Sequence, residues 1–320
     1  MFIYFVRKLN LFVVTFLLLT FVSFNIARLT PQGPWSDLSL FQGWITYLTD
    51  LFSLNFGVTR FGAPILDELI RYFPATLELC ILAFMLALLV GVPIGTLAGI
   101  KRGKWMDNMI TTVTLLGFSI PVFWLAILLM MLFSLHFTWF PVSGRHSLLY
   151  QLDYVTGFGL IDIFLMDRTY RQEALLEVLS HLVLPVLTLA LSPLTEVVRL
   201  TRSSVAEVMT HNYVRFAPTK GLSMFTILHR HVLQNALPPI IPKLGLQLST
   251  MFTMTFVVEY IFNWPGIGRW LLEAVTDKDY MAIQAGVICI ATLVLSANIL
   301  SDLLGAMLNP LVRKEWNAVK

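Results

Sequence analysis

Apolar residues in this chain form long runs with very few charges. A helix needs about 20 predominantly apolar residues to cross the hydrocarbon core of a bilayer, because its backbone polar groups must be paired within the segment. Six runs meet or approach this length, and they predict transmembrane helices over Leu9–Ala27, Phe73–Ile100, Asn108–Leu135, Leu182–Val198, Leu244–Val258 and Met281–Ser301. The pattern therefore predicts an all-α membrane protein with six transmembrane helices.

Composition agrees with lipid as the solvent. Of the 320 residues, 57% are hydrophobic and 13% are charged, whereas soluble domains have about 45–50% apolar and about 25% charged residues. A net charge of +3 gives no reason to expect a nucleic-acid partner. Cys80 and Cys289 both lie inside apolar runs, so we expect two small buried side chains rather than a disulfide or a zinc site.

The basic residues indicate the orientation of the helices. With the N-terminus placed inside, most of the 22 basic residues fall on the inner segments, at 7–8, 101–104, 199–243 and 313–320. The positive-inside rule then places both termini in the cytoplasm. The first run could be a signal peptide, but residues 25–28 offer no small-x-small cleavage site, so we expect an uncleaved anchor.

The longest inner segment, residues 199–243, has the pattern of two helices separated by a break. Residues 207–217 are compatible with one helix, and Gly221 supplies the break. Ser223 is a good N-cap for a second helix through Leu237, which the following prolines would stop.

One face of that second helix is predicted to be apolar, formed by Phe225, Leu228 and Val232. Two amphipathic helices beneath a membrane domain are typical of a docking surface for another protein.

The sequence of this segment resembles the coupling loop of binding-protein-dependent ABC transporter permeases of the dipeptide and oligopeptide branch. The matching runs are RLTRSSVAEV at 199–208, NYVR at 212–215, KGLS at 220–223 and HVLQNALP at 231–238. Further matches, in order, are FSIPVFW at 118–124, WFPVSG at 139–144 and FNWPGIGR at 262–269, followed by Asp279. Within the branch, the chain is most similar to the SapB-type permeases of the peptide-sensitivity transporters.

The resemblance implies a type I ABC importer permease with cytoplasmic coupling helices. Residues 1–72 would form an anchor helix and a first periplasmic segment, and residues 73–320 a five-helix core with its coupling loop at about 199–243. Residues expected to contact an ATPase are Glu207, Tyr213, Arg215, Ala217, Lys220, Gly221, His231 and Asn235. The expected periplasmic signature is Pro265, Gly266, Gly268 and Asp279.

One residue departs from the family pattern. Pro218 stands where the family usually has a basic or small residue, inside the first coupling helix. A proline there removes a backbone donor and disfavours helix at Ala217, so that helix is expected to end early or to kink.

Charged and small residues inside the spans suggest further roles. Residues expected to line a translocation path are Glu78, Pro121, Met254 and Glu259. The alternative for the two acids is a hydrogen-bonded interfacial carboxyl group. Glu196 is expected to pair with Arg199, and Asp302 is expected to be paired structurally.

Glycines and prolines inside the spans predict where helices pack closely and where they bend. Gly91, Gly95 and Gly99 are expected to admit a neighbouring helix. Pro93, Pro121, Pro185 and Pro193 are expected to loosen or bend their helices.

No nucleotide-binding or catalytic motif occurs in the sequence. Gly103 and Lys104 are followed by Trp105, so there is no phosphate-binding P-loop, and no metal site is expected. We therefore expect no enzyme activity in this chain and place ATP and Mg²⁺ on partner subunits. Expected partners are a second homologous permease, two ABC ATPase subunits, a periplasmic solute-binding protein and membrane lipid.

Two rival classes and several cargoes stay open. A secondary transporter or channel acting alone would need coupling-ion sites and usually internal repeats, and a membrane enzyme would need a catalytic constellation. The resemblance favours transport of peptides, including cationic antimicrobial peptides, across the bacterial inner membrane. Putrescine export and haem import are the alternatives.

Overall fold

In a computed structural model of the protein, the described residues are 2–30, 33, 35, 37–147, 155–166 and 170–308. Their helices, in chain order, are α1 (Phe2–Ala27), α2 (Leu40–Phe52), α3 (Ile65–Ile100), α4 (Trp105–Ser119), α5 (Val122–Leu129), α6 (Gly159–Leu165), α7 (Arg171–Val208), α8 (Asn212–Arg215), α9 (Met224–Ile227), α10 (Gln234–Ala236), α11 (Ile241–Ile261), α12 (Ile267–Thr276) and α13 (Tyr280–Leu308). A π-helix, Met130–His136, follows α5.

The apolar runs correspond to these long helices, with one correction. Within the described residues, five helical segments are long and apolar enough to span a bilayer, and α4 with α5 makes a sixth span if the bent pair is counted as one. The predicted continuous helix over Asn108–Leu135 is wrong, because the chain turns by 97° between α4 and α5. Ile120 is extended (φ −82°, ψ 120°), as expected for the residue before Pro121.

The other prolines expected to loosen or bend their spans lie inside continuous helices. Pro93 is in α3, and Pro185 and Pro193 are in α7. Of the four intramembrane prolines singled out in the sequence, Pro121 is therefore the one that interrupts a helix.

The glycine stripe of α3 packs against α7, as predicted. A Cβ atom at Gly95 would lie 2.7 Å from the Thr201 Cβ atom and 2.7 Å from the Val198 carbonyl oxygen. Gly91 faces Val197 and Gly99 faces Val205 in the same way. Small residues at this seam let the two backbones approach closely, so α3 and α7 form the central pair of the bundle.

The first and last spans pack together. Lys8 Nζ lies 2.5 Å from Asp302 Oδ2, which confirms the predicted pairing of Asp302. Near the other end of the pair, the Tyr47 hydroxyl on α2 donates a 2.6 Å hydrogen bond to Gln284 Oε1 on α13. Burial raises the pKa of Tyr47, so its hydroxyl keeps the proton that it donates.

The predicted pair on α7 is also present. Arg199 donates to Glu196 through Nε at 2.8 Å and through Nη2 at 2.5 Å. The Arg199 side chain is 63% exposed, so this ion pair lies on the helix surface and joins no other element.

Candidate functional site

Residues 209–240, called the loop segment below, connect α7 to α11. The prediction of one helix over 207–217 is wrong, because α7 ends at Val208 and a separate short helix, α8, covers Asn212–Arg215. Between them the chain turns back on itself: the Thr210 N–H donates to the Glu207 carbonyl oxygen, and His211 is extended.

Pro218 shapes the next part of the loop segment. Helix α8 ends at Arg215, and a 3₁₀-helix, Ala217–Lys220, follows with the proline in its first turn. Proline is tolerated there, since a first-turn N–H would have no intrahelical partner. The predicted early end of the first coupling helix is therefore confirmed.

Gly221 and Ser223 have the conformations that the sequence predicts. Gly221 is left-handed, with φ +74°, and its N–H donates a 3.0 Å hydrogen bond to the Pro218 carbonyl oxygen. Ser223 caps α9, since its Oγ accepts a 3.3 Å hydrogen bond from the Thr226 N–H. No atom lies within 4 Å of a Cβ added at Gly221, so glycine is needed there for its backbone conformation and not for space.

A small apolar cluster anchors the loop segment to the end of α7. Its buried members are Val205, Val208, Val214, Ala217, Ile227, Val232 and Ala236. Ile100, the last residue of α3, packs against this cluster. The Ser204 hydroxyl on α7 also donates a 2.6 Å hydrogen bond to the Ala236 carbonyl oxygen. The loop segment is therefore packed firmly against the end of α7.

The predicted apolar face of the second loop helix needs correction. Val232 is buried and Leu228 is half-buried, but Phe225 is 72% exposed and Ile227 takes its place inside. The reason is that α9 is a single turn followed by a π-helix, Leu228–Leu233. The wider π turn shifts which residues share a face relative to a regular α-helix.

The outer surface of the loop segment is aromatic and basic. Among its exposed residues are Tyr213, Phe216, Met224 and Phe225, with Arg215 and Lys220 beside them. Six of the predicted coupling residues are exposed: Glu207, Tyr213, Arg215, Lys220, Gly221 and Asn235. His231 is half-buried and Ala217 is buried in the anchor. Phe216 and Phe225 were not among the predicted ATPase contacts. Phe216 adjoins the predicted contact Arg215, and Phe225 belongs to the apolar face predicted for the second helix.

In the N-terminal half of α3, Glu78 is buried and accepts hydrogen bonds from several donors. Its Oε2 lies 2.5 Å from Arg145 Nη2, and both side chains are less than 5% exposed. The backbone N–H groups of Gly159 and Leu160 also donate to its carboxyl group, at 3.2 and 2.8 Å. The Arg145 guanidinium lies over the Trp264 ring, 5.7 Å from its centroid. This arrangement agrees with the alternative prediction, a hydrogen-bonded carboxyl group, rather than with a carboxyl group that lines a cavity.

Glu259, at the end of α11, is fully buried against the first turn of α12. The Thr76 hydroxyl donates to its Oε1 at 2.6 Å, and the Arg269 N–H donates to its Oε2 at 3.0 Å. A Cβ at Gly266 would collide with this carboxyl group, and one at Gly268 would lie 2.9 Å from its Oε2. The two glycines of the FNWPGIGR run therefore make room for the carboxyl group that holds them.

The remaining signature residues lie near the same end of the bundle. Asp279 precedes α13 and accepts hydrogen bonds from the Ala282 N–H at 3.0 Å and the Arg60 N–H at 2.6 Å. The N-terminal segment is thereby joined to the last helix. Pro265 is half-buried between Trp264 and Gly266.

Pro121 and Met254, two of the predicted path residues, line one cavity of about 330 Å³ at the bend between α4 and α5. Its lining is mainly apolar and includes the small polar residues Thr188 and Ser192 on α7. Among the described residues that line it, no carboxylate occurs. Glu78 and Glu259 lie elsewhere, so the structure does not bring the four predicted path residues together.

Metal ligands are sparse in the described part of the chain. No group of three or more histidine, cysteine, aspartate or glutamate side chains there could hold a metal ion.

Comparison with known proteins identifies the protein family to which the chain belongs. The sequence profile of the family described as binding-protein-dependent transport system inner membrane component matches residues 91–314. The chain belongs to this family, and it is a multi-pass permease of the ABC transporter type in a bacterial inner membrane.

Two full-length relatives and one solved structure are similar to this chain. The putrescine export system permease protein SapB of Escherichia coli (strain K12) is 52% identical over 100% of both chains. The peptide transport system permease protein SapB of Salmonella typhimurium (strain LT2) is 51% identical over 321 residues. An inward-facing MetNI methionine ABC transporter structure, 14% identical, matches with a TM-score of 0.57 over 77% of this chain and 98% of that one, which confirms the predicted type I permease fold.

Proposed function

We propose that this chain moves peptides, including cationic antimicrobial peptides, across the inner membrane, driven by ATP hydrolysis on separate ATPase subunits. Both termini and the loop segment face the cytoplasm in this proposal, as the distribution of basic residues predicts. A solute-binding protein would deliver cargo at the opposite face.

The single observation that carries the ATPase contact is the outer surface of the loop segment. Phe216 is 62% exposed and Phe225 is 72% exposed, although neighbouring apolar residues such as Ala217 and Ile227 are buried in the anchoring cluster. An exposed aromatic patch outside the bilayer is typical of a protein–protein interface.

Charge supports a particular kind of partner surface. The exposed side chains of the loop segment include Arg215, Lys220 and Arg230, whereas residues 209–240 contain no aspartate or glutamate. A cleft with acidic and apolar walls would complement this surface. We therefore place the loop segment in such a cleft on one ATPase subunit.

A second homologous permease would complete the path. The bend between α4 and α5 carries large exposed side chains, among them Phe118, Phe123 and Trp124. Phe118 and Phe123 line the cavity at Pro121. A partner permease seated here would enclose the cavity between two chains.

The lining of that cavity supports a peptide as cargo. Apolar walls that include a few small polar residues, Thr188 and Ser192, suit a chain of amides and apolar side chains. No carboxylate occurs among the described residues that line the cavity, so a diamine would find no counter-charge there to replace its hydration. Putrescine export is the second candidate, because the 52% identical relative carries that name.

Transport by the reconstituted complex tests the cargo. Proteoliposomes containing the chain, its partner permease and the ATPase subunits would be supplied in turn with cationic peptides, neutral peptides, putrescine and haem. ATP-dependent movement of peptides supports the proposal, and exclusive movement of putrescine would replace it with the second candidate. Haem transport without peptide transport would refute both.

Substitution of Gly221 tests the coupling role. Gly221→Val is expected to uncouple ATP hydrolysis from transport, since a β-branched residue resists φ near +74° and would distort the loop tip. Gly221→Asn is the matched control, because asparagine accepts the left-handed conformation and space is available. Equal transport per ATP hydrolysed in the two variants would contradict the coupling role.

A further inference from the structure

A buried ion pair joins α4 to α7 just before the loop segment begins. Arg202 on α7 donates to Asp107 on α4 through Nε to Oδ1 at 2.5 Å and through Nη2 to Oδ2 at 2.8 Å. Asp107 is 1% exposed, whereas the Arg202 side chain is 31% exposed. The two parallel contacts fix both the distance and the relative orientation of the helices.

Asp107 is also held on its own side. The Gly103 N–H donates to its Oδ2 at 2.8 Å, and the Thr111 hydroxyl lies 3.5 Å from its Oδ1. Asp107 lies in the first turn of α4, where a carboxylate is favoured by the helix dipole. The carboxylate is therefore fixed to the start of α4, and a displacement of Arg202 is passed to that helix.

The two helices meet again next to the bend. A Cβ at Gly117 of α4 would lie 3.2 Å from Thr195 Cγ2 and 3.3 Å from Leu191 Cδ1 of α7. Gly117 and Leu191 both line the cavity at Pro121. Between Asp107 and Gly117, α4 rises by about 15 Å. The ion pair and the glycine contact thus hold α4 to α7 at both ends of this stretch.

We propose that the Asp107–Arg202 ion pair transmits the movement of the ATPase-docked loop segment to α4, and through α4 to the bend that forms the cavity. The inference rests on the proposed function, because it requires an ATPase to move the loop segment. The anchor cluster and the Ser204–Ala236 hydrogen bond carry that movement into α7. Asp107 and Arg202 are positioning residues, since neither lines the cavity.

The proposal is tested by transport per ATP hydrolysed. Asp107→Asn keeps an oxygen for the Gly103 N–H but removes the charge, and Arg202→Gln removes the guanidinium fork. Each is expected to lower the transport-to-hydrolysis ratio by about five-fold or more, the lower range of allosteric coupling. The double variant should be no worse than either single one, since both remove the same link.

The second ion pair on α7 supplies the matched control. Glu196→Gln and Arg199→Gln remove a pair that lies on the surface of the same helix and reaches no other element. These variants should keep the wild-type ratio. A purely structural role for Asp107 would instead lower membrane abundance, hydrolysis and transport together, with the ratio unchanged, and that result would overturn the inference.

Distance measurement gives a readout that does not depend on knowing the cargo. Spin labels at Met109→Cys and Ser203→Cys, both exposed, report the separation of α4 and α7 in a chain with Cys80 and Cys289 replaced by alanine. In the otherwise wild-type complex this separation should be the same without nucleotide and with ATP and vanadate. With Asp107→Asn it should shift or broaden when ATP and vanadate are added.

Failure of the ion-pair inference and failure of the proposed function give different results. Wild-type separation in both states of the Asp107→Asn complex, together with a wild-type transport ratio, would overturn the ion-pair inference while leaving the proposed function intact. A wild-type chain that binds no ATPase subunit would refute the proposed function and the inference with it.

Discussion

Glu259 offers the most direct test of whether an intramembrane acid holds the structure or contacts cargo. Its carboxyl group is fully buried and accepts hydrogen bonds from the Thr76 hydroxyl and the Arg269 N–H. The same threonine oxygen accepts from the Ile267 N–H at 2.8 Å. Glu259 thereby ties α11, α3 and the first turn of α12 together.

The expected cost follows from the donors that a substitution leaves unpaired. A buried donor without a partner costs about 1–3 kcal/mol. Glu259→Gln keeps one oxygen but turns an amide N–H toward the second donor, so a loss of about 1–3 kcal/mol in the free energy of unfolding is expected. Glu259→Ala leaves both donors without an acceptor, so a loss of about 2–6 kcal/mol in the free energy of unfolding is expected.

Unfolding by heat or denaturant in detergent micelles measures these losses in stability. Glu273→Gln is the matched control, since Glu273 is 52% exposed and pairs with the same Arg269 through its side chain. That variant should stay within about 0.5 kcal/mol of wild type.

Cargo selectivity separates the two roles of Glu259. If the carboxyl group only holds the fold, the folded fraction of Glu259→Gln should transport cationic and neutral peptides in the wild-type ratio. Wild-type stability combined with a selective loss of cationic peptide would refute the structural reasoning and restore the translocation-path role predicted from the sequence.

Two further predictions concern helix packing. Glu78→Gln should lower the free energy of unfolding by about 3–5 kcal/mol, because it removes the carboxylate that pairs with the buried Arg145. Adding Arg145→Leu should return part of that loss, and the same unfolding assay would contradict this if the double variant were no more stable than Glu78→Gln alone. Gly95→Val should cost about 1–3 kcal/mol or more, because its Cβ would lie 2.7 Å from Thr201, whereas Leu97→Val on the exposed face of α3 should change little; equal stability of the two variants would argue against the close crossing.

Several features of this protein followed from the sequence because they depend on neighbouring residues. Uncharged apolar runs have no favourable alternative to lipid, which is why the spans could be recognised. The N-cap at Ser223, the break at Gly221 and the early end before Pro218 also rest on local backbone chemistry. Glu196 and Arg199 could be paired because three residues separate them on one helix.

Local chemistry was insufficient where the outcome depended on distant contacts. Pro121 signalled a bend, but the 97° angle depends on how α4 and α5 pack against α7 and α11. The inward turn of Ile227 in place of Phe225 depends on a π-helix that the periodicity of the sequence does not reveal.

The charged residues show the same division most clearly. Asp107 and Arg202 are 95 positions apart, and Glu78 and Arg145 are 67 positions apart. The sequence by itself determined that acids at bilayer depth must have partners, because an isolated charge there is too costly. Only the tertiary structure decided which partner each acid has, since that depends on which helices the fold brings side by side.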